Sequence, residues 1–500
     1  MKMKINKLFA LSAITLICFG LSGCGQTNTD EDYGDAIVLN VYNWADYISE
    51  TEGDQIGVLD QFEEYCKTEL KKNVKVNYST FETNEDLYNQ LRAGGVQYDL
   101  VCPSEYMIEK MIINDMIEPL DSPIPNYDEF ASKYIKDTLS NFSTTNGKTD
   151  ETVTFDQYAV PYMWGTMGFM YDPENVTLED VSSWDIIWDK NHKNHTSLKD
   201  SVRDTYITAT LHIYKEELLL AKQTLSPEDY NERVTEIMNR CDDLTISLVE
   251  TALKKAKENI YEFEVDTGKE HIINGDYYVN LCWSGDAVYA MNLAEGLEFE
   301  DDEIDENFEP FYLNYKVPEE GSNIWFDGWV MPKGANKELA QELMNFLCDP
   351  GIAAQNMEYI GYTSAMAGQD MWELVQDWYD EGEDTEEAKP YDLTYFFKDT
   401  QIVDEDGNPI EEFIIYTTEE NRQLFAQYPD EETILRCAVM KDFGGQNEKV
   451  SEMWIRVKGN SASWVIFVFL GVIVVLIVLF EVRNMYNKRA RKNRNKNKAK

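Results

Sequence analysis

From Ile37 to Ile117 the sequence alternates between two periodicities. "AIVLNVYNW" reads as a strand, and "GVLDQFEEYCKTEL" has helical spacing through Val58, Leu59, Phe62 and Cys66. "KVNYSTF" is a second strand and "NEDLYNQLRAG" a helix ending near Gly94. "YDLVCPS" is a third strand, stopped by Pro103, and "YMIEKMIINDMI" is another helix. A strand that returns parallel to its neighbour needs a helical crossover, so this rhythm predicts a mostly parallel, wound sheet. In such sheets ligands bind in the crevice beyond the carboxyl ends of the strands. Trp44, Asp46 and Tyr47 follow the first strand there, and Ser104 and Tyr106 follow the third.

The "WADY" group raises a chemical question. A core wants the rings without the acid, and a solvated turn wants the acid without the rings. A ligand that is both apolar and positively charged wants both. The bland alternatives stay open: Asp46 as a helix N-cap, and the rings as core.

Further along, residues 206–262 are rich in helix formers. "YYVNLCWSGDAVYAM" reads as a strand running into a helix, and "SNIWFDGWVMP" as another strand. "NKELAQELMNFLCD" is a helix capped by Asn336, and "DEGEDTEEAKP" a solvated loop. No internal repeat is visible.

The formal charge is −48, and both ends are basic, so the body between them is more acidic still. Phosphate would be repelled, which argues against nucleic acid. Small cations would be attracted and captured quickly. "MKMKINK", "LFALSAITLICFGL" and "LSGC" form a basic, then apolar, then small-residue leader over residues 1–23. Leu21-Ser22-Gly23-Cys24 resembles a bacterial lipobox, with Cys24 the expected lipidation site, and residues 24–36 read as a polar tether. Residues 461–482 are almost wholly apolar and long enough to span a bilayer. The basic tail 483–500 places their far end in the cytoplasm. The expected product is an exported body at the outer or periplasmic face of a cell membrane, held by a lipid and one transmembrane helix.

Cys66, Cys102, Cys241, Cys282, Cys348 and Cys437 match no metal spacing, and their pairing is not set by sequence. Cys102 and Cys282 lie in apolar runs that suit buried thiols. His192 and His195 fall in a polar loop. Neither a metal site nor a cofactor motif is expected.

Nine further words stand in family order. They are "YNWADYI", "YSTFETNEDLYNQL", "YDLVCPSEYMIEKM", "YAVPYMWGTMGFMYD", "SSWDIIW", "DSVRDTY", "GDYYVNLCWSGDAVYAM", "NIWFDGWVMPKGANK" and "NFLCDPGIAAQNMEYIGYTSA". With them the chain resembles the bacterial spermidine/putrescine-binding proteins of ABC transporters, from about Ile37 to about Lys458. The resemblance implies an α/β, two-lobed, periplasmic-binding-protein-like fold of type II. Lobe 1 would be residues 37–161 with 328–368, and lobe 2 residues 162–327 with 369–458. Crossovers are expected near Tyr162–Gly165 and Trp325–Asp327.

A polyamine is a methylene chain carrying ammonium groups, so recognition needs carboxylates at set distances and aromatic walls between them. Carried over residue by residue, the resemblance implies a ligand site of Trp44, Asp46, Tyr47, Ser104, Tyr106, Asp204, Trp283, Asp286, Trp325, Asp327 and Tyr362. Trp44, Tyr106, Trp283 and Trp325 would form the aromatic box, and Asp46, Asp204, Asp286 and Asp327 the ammonium anchors. Asp204 stands where the family usually has Glu, and Ser201 where triamine-preferring members have an acid. Asp286 is the diamine-type residue and Trp325 the triamine-type, which leans weakly towards putrescine.

The implied function is extracellular polyamine capture for an ABC permease, with no catalysis. The alternatives are a same-fold receptor for another cation, a membrane-tethered polyamine sensor, and a carboxylate-pair glycoside hydrolase.

Overall fold

A computed structural model describes residues 35–459 except 54, 266, 298–309 and 405–406. The leader, Cys24, most of the tether, the 461–482 segment and the basic tail lie outside the described residues. Among the described residues no helix is long and apolar enough to cross a membrane.

Eight strands form the main path of a single sheet. In chain order they are β1 (Ile37–Trp44), β2 (Val74–Phe81), β3 (Leu100–Val101), β4 (Ala159–Tyr171), β5 (Thr196–Lys199), β6 (Glu262–Glu264), β7 (Val279–Trp283) and β8 (Ser322–Pro332). Their spatial order is β2-β1-β3-β8-β4-β7-β5-β6. The triplet β2-β1-β3 is parallel, as the alternation of strands and helices requires. The triplet β7-β5-β6 is parallel too. Between them run β4 and β8, antiparallel to each other.

These two long strands join the halves. The first part of β4 pairs with β8 and its last part with β7. The other end of β8 pairs with β3 through Val330 and Val101. The crossovers expected at 162–165 and 325–327 lie inside this pair, where Gly165 faces Trp325 and Trp164 faces Phe326. Both strands are buried along their whole length, which explains their continuous apolar character. The register slips between Phe326 and Gly328, leaving Asp327 in an irregularity of the buried strand.

Helices follow the strands as their capping residues direct. The Thr83 side chain accepts from the Asp86 amide to start α1 (Asn84–Ala93), and Gly94, at φ +66°, ends it. Then come α2 (Glu105–Ile113) after β3, α3 (Lys133–Asn141), α4 (Val202–Ile213) after β5, α5 (Asp243–Lys257) and α6 (Ser284–Glu295) after β7. The starts of α2, α4 and α6 therefore stand at the carboxyl ends of strands from both halves. Next is α7 (Pro350–Ile360), closed by Gly361 at φ +79°. That left-handed residue turns the chain so that Tyr362 points back into the molecule.

One assignment differs from expectation. Residues 369–397, placed above in lobe 2, pack on the first half. Ser132 Oγ donates to the Phe396 carbonyl at 2.7 Å, and Tyr395 meets Tyr134 with ring centres 5.6 Å apart. The reason is aromatic: Trp372, Phe396, Phe397, Phe413 and Tyr428 form one cluster that also receives Trp164 from β4. The last helix, Asn447–Lys458, lies on α5 instead. A short hairpin, Lys389–Asp392 with Ile414–Thr417, was not foreseen in the acidic stretch. The six described cysteines are all free thiols.

Trp164 is fully buried and stacks on Phe396 at 5.6 Å. Replacing it with alanine is expected to cost about 3–5 kcal/mol of stability. Urea denaturation of the Trp164→Ala variant checks this; a loss below about 1 kcal/mol would contradict the packing described.

Candidate functional site

Three loops from the first half and two helix starts from the second converge on β4 and β8. The centre is Asp327. Its carboxylate is buried, with 6% of the residue exposed. The Tyr47 hydroxyl donates to Oδ2 at 2.9 Å, and Ser104 pairs with Asp327 across a bridge. Oδ1 is buried and lacks a well-formed hydrogen bond among the described residues, although the Ser104 hydroxyl faces the carboxylate. An unmatched carboxylate oxygen in such a place is costly, because desolvation is not repaid. Burial pushes the Asp327 carboxyl up to about 6, against the opposing hydroxyls of Ser104 and Tyr47. Behind it lies Glu105, whose carboxyl burial raises to about 8.

Aromatic rings enclose this carboxylate. Tyr47 stands edge-on to Tyr162 at 5.6 Å and to Tyr362 at 5.4 Å. Trp325 meets Tyr362 at 5.5 Å. Two glycines permit the arrangement. A Cβ on Gly165 would overlap Ser284 and crowd the Trp325 indole, and one on Gly285 would overlap the Tyr362 ring.

Tyr362 links Asp327 to a second carboxylate. Its hydroxyl donates to Asp286 Oδ1 at 2.9 Å, in the first turn of α6. Asp286 is not an empty anchor. Lys199 Nζ lies 3.1 Å from its Oδ2 and Lys269 Nζ 3.3 Å from its Oδ1. Burial raises the Asp286 carboxyl, and the two ammonium groups more than reverse this, holding it at about 2. Lys199 also reaches Glu264 at 3.4 Å and donates to the Val265 carbonyl at 2.5 Å. Its Nζ sits 4.4 Å from the centre of the Trp283 ring.

The other expected residues fall into place around this core. Asp204 is buried in the first turn of α4 and accepts from the Trp283 indole at 3.3 Å. Burial raises its carboxyl. Tyr106 is buried at the start of α2, with the Arg203 guanidinium 4.7 Å over its ring. Trp44 is half-buried against Phe81 at 4.5 Å, and its indole nitrogen has no partner among the described residues.

Asp46 departs from expectation both as an anchor and as a cap. It is exposed, in the left-handed region at φ +50°, outside the buried cluster. The turn that carries Tyr47 inward turns Asp46 out. The box of Trp44, Tyr106, Trp283 and Trp325 also does not present four open faces, since Arg203 covers Tyr106 and Lys199 covers Trp283. Sequence reasoning missed Lys199, Lys269, Arg203 and Glu264. The signal available for Lys199 was a lysine at the end of an otherwise buried strand. Among the described residues no group of histidine, cysteine and carboxylate side chains is placed to hold a metal.

The chain is similar to known proteins over most of its length. The family model of bacterial extracellular solute-binding proteins matches residues 58–380. The spermidine/putrescine-binding periplasmic protein of Salmonella typhimurium is 27% identical over 365 residues, which are 72% of this chain and 84% of that protein. The putrescine-binding periplasmic protein PotF of Escherichia coli is 25% identical over 339 residues, 65% of this chain and 77% of that protein. Among solved structures, the spermidine/putrescine substrate-binding protein PotD of Streptococcus pneumoniae superposes with a TM-score of 0.52 at 25% identity. It covers 84% of this chain and 98% of that one. The TpPotD lipoprotein of Treponema pallidum shares the fold, with a TM-score of 0.56 at 19% identity over 85% of this chain and all of that one. With two parallel triplets joined by crossing strands and a family match over most of its length, this chain belongs to the bacterial extracellular solute-binding proteins.

Proposed function

We propose that this protein is the polyamine receptor of an ABC importer, and that it closes on its ligand between two lobes. The observation that carries the reading is Asp327. It is a buried carboxylate with one unmatched oxygen, walled by Tyr47, Trp325 and Tyr362. An ammonium group satisfies that oxygen, and the rings cover the methylenes next to it. A cation against aromatic faces contributes about 0.5–2 kcal/mol, and each buried methylene about 0.8 kcal/mol. Names of the relatives support the same ligand class.

The residues of the cluster are buried, so in this reading ligand entry requires the halves to part. The lobes we propose are residues 37–161 with 328–397 and residues 162–327 with the closing helix Asn447–Lys458. The hinge is the β4–β8 pair. Closed, liganded protein then delivers its cargo to a permease, and no bond is made or broken. We also read Cys24 as a lipid anchor and residues 461–482 as a membrane helix, with the basic tail inside. Two anchors confine the receptor to the surface where its permease lies and raise its effective concentration there.

Binding is expected to be one-to-one, near micromolar, about −8 kcal/mol. The check is calorimetric titration with putrescine and spermidine, with lysine as control. Asp327→Ala is expected to weaken the polyamine at least tenfold, and Trp325→Ala by a similar factor. Retained affinity in Asp327→Ala would overturn the reading. So would turnover of a sugar substrate without polyamine binding, which the hydrolase alternative requires.

The pH dependence follows from the raised Asp327 carboxyl, at about 6 against an ordinary 3.8. Without ligand, the protonated form is the one the fold favours. Its contribution to stability is fully present below about 3.8 and is lost as pH rises through about 6. A bound ammonium needs the carboxylate, so affinity runs the other way. It is expected to fall about fivefold from pH 6 to pH 5 and to be nearly flat above pH 7. Dissociation constants measured across that range check this, and the Asp327→Asn variant is expected to lose the dependence.

A further inference from the structure

Resting on the polyamine reading, we infer that Lys199 is a built-in ammonium group that occupies the Asp286 end of the slot and so sets an upper limit on the ligand's charge and length.

The argument begins with what Lys199 touches. It is 1% exposed, at the last position of β5. Its Nζ meets Asp286 Oδ2, Glu264 Oε1 and the Val265 carbonyl, and it lies over the Trp283 ring. Two carboxylates, a carbonyl and an indole face are the surroundings a ligand ammonium needs. Here the chain supplies the cation itself. Lys269 shares Asp286 from the other side.

Lys199 is held too firmly to be a loose plug. The Thr205 hydroxyl donates to its backbone carbonyl at 2.5 Å, tying the end of β5 to α4. Glu264 is fixed in turn by the Gly268 amide at 2.9 Å. Gly268 has no room for a Cβ, which would crowd Glu264 and Asn280. Removing one partner from a buried ion pair is expensive, so ligand does not displace Lys199.

A chain of side-chain contacts links Asp327 to Asp286. Asp327 accepts from Tyr47, Tyr47 touches Tyr362, and Tyr362 donates to Asp286. A long polyamine anchored at Asp327 would run along Tyr362 and bring its far ammonium to Lys199. There it meets a like charge in a buried setting, which disfavours it. A short diamine ends before that point. The expected preference is for putrescine over spermidine, and its cause is Lys199 rather than any residue that contacts the shorter ligand.

The test is titration of the full chain, purified in detergent, with putrescine and with spermidine. The variants are Lys199→Met and Lys199→Gln, which remove the charge, and Lys199→Arg, which keeps it. In Lys199→Met and Lys199→Gln the ratio of spermidine to putrescine affinity is expected to rise at least tenfold. In Lys199→Arg the ratio is expected not to rise. An unchanged ratio in a folded neutral variant that still binds putrescine would overturn the inference. If neither neutral variant folds, Lys199→Arg decides alone: a tenfold rise in the ratio with the charge kept would overturn it. Absence of binding of either polyamine to the parent chain would instead be a failure of the receptor reading itself, and so is distinguishable.

Discussion

A carboxylate stripped of water and given too few hydrogen bonds is the constraint around which this structure is arranged. Asp327 lies at the slip in register between the two strands that join the halves. A regular antiparallel pairing would leave no irregular backbone there, and the Ser104 bridge would have no place to form. Strand pairing and the proposed hinge and ligand anchor therefore meet at one residue. The apolar length of β4 and β8 stabilises the molecule, and the interruption sets Asp327 apart from the regular ladder.

Charge within the slot is balanced unevenly. At the Asp286 end two lysines answer two carboxylates. Beside Tyr106 the Arg203 guanidinium lies over the ring. At Asp327 no basic side chain is paired with the acid among the described residues, and only hydroxyls face it. In the reading proposed above, this gradient directs a single incoming cation to Asp327, and the strongly negative body draws cations to the surface. Tyrosines carry the connection, each using its ring as wall and its hydroxyl as donor.

Much of this was legible in the chain. The strand–helix alternation from Ile37 to Ile117 gives the parallel triplet directly, and the two apolar runs around Trp164 and Trp325 give the joining strands. Tyr47, Ser104, Asp204, Trp283, Asp286, Trp325, Asp327 and Tyr362 lie together because each stands just beyond a strand, in the joining strand or after a helix-ending glycine. Asp46 was misread because neighbours in sequence were taken to share a direction; its left-handed backbone separates it from Tyr47. Lys199 was passed over for a different reason. Its partner Asp286 is 87 residues away, and a lysine in "SLKDS" looks like surface charge until the fold brings the two together. Residues 369–397 were misplaced because aromatic packing on Tyr134 has no periodic signature.

The central claim is that a ligand ammonium replaces the proton that burial places on Asp327. Proton release on binding tests it most directly. Putrescine would be titrated calorimetrically at pH 6 in two buffers of different ionisation enthalpy, with Asp327→Asn alongside. The expected result is release of about half a proton per ligand at pH 6, none at pH 8, and none from the variant. Heat of binding that is the same in both buffers at pH 6, or a release that persists in Asp327→Asn, would contradict it.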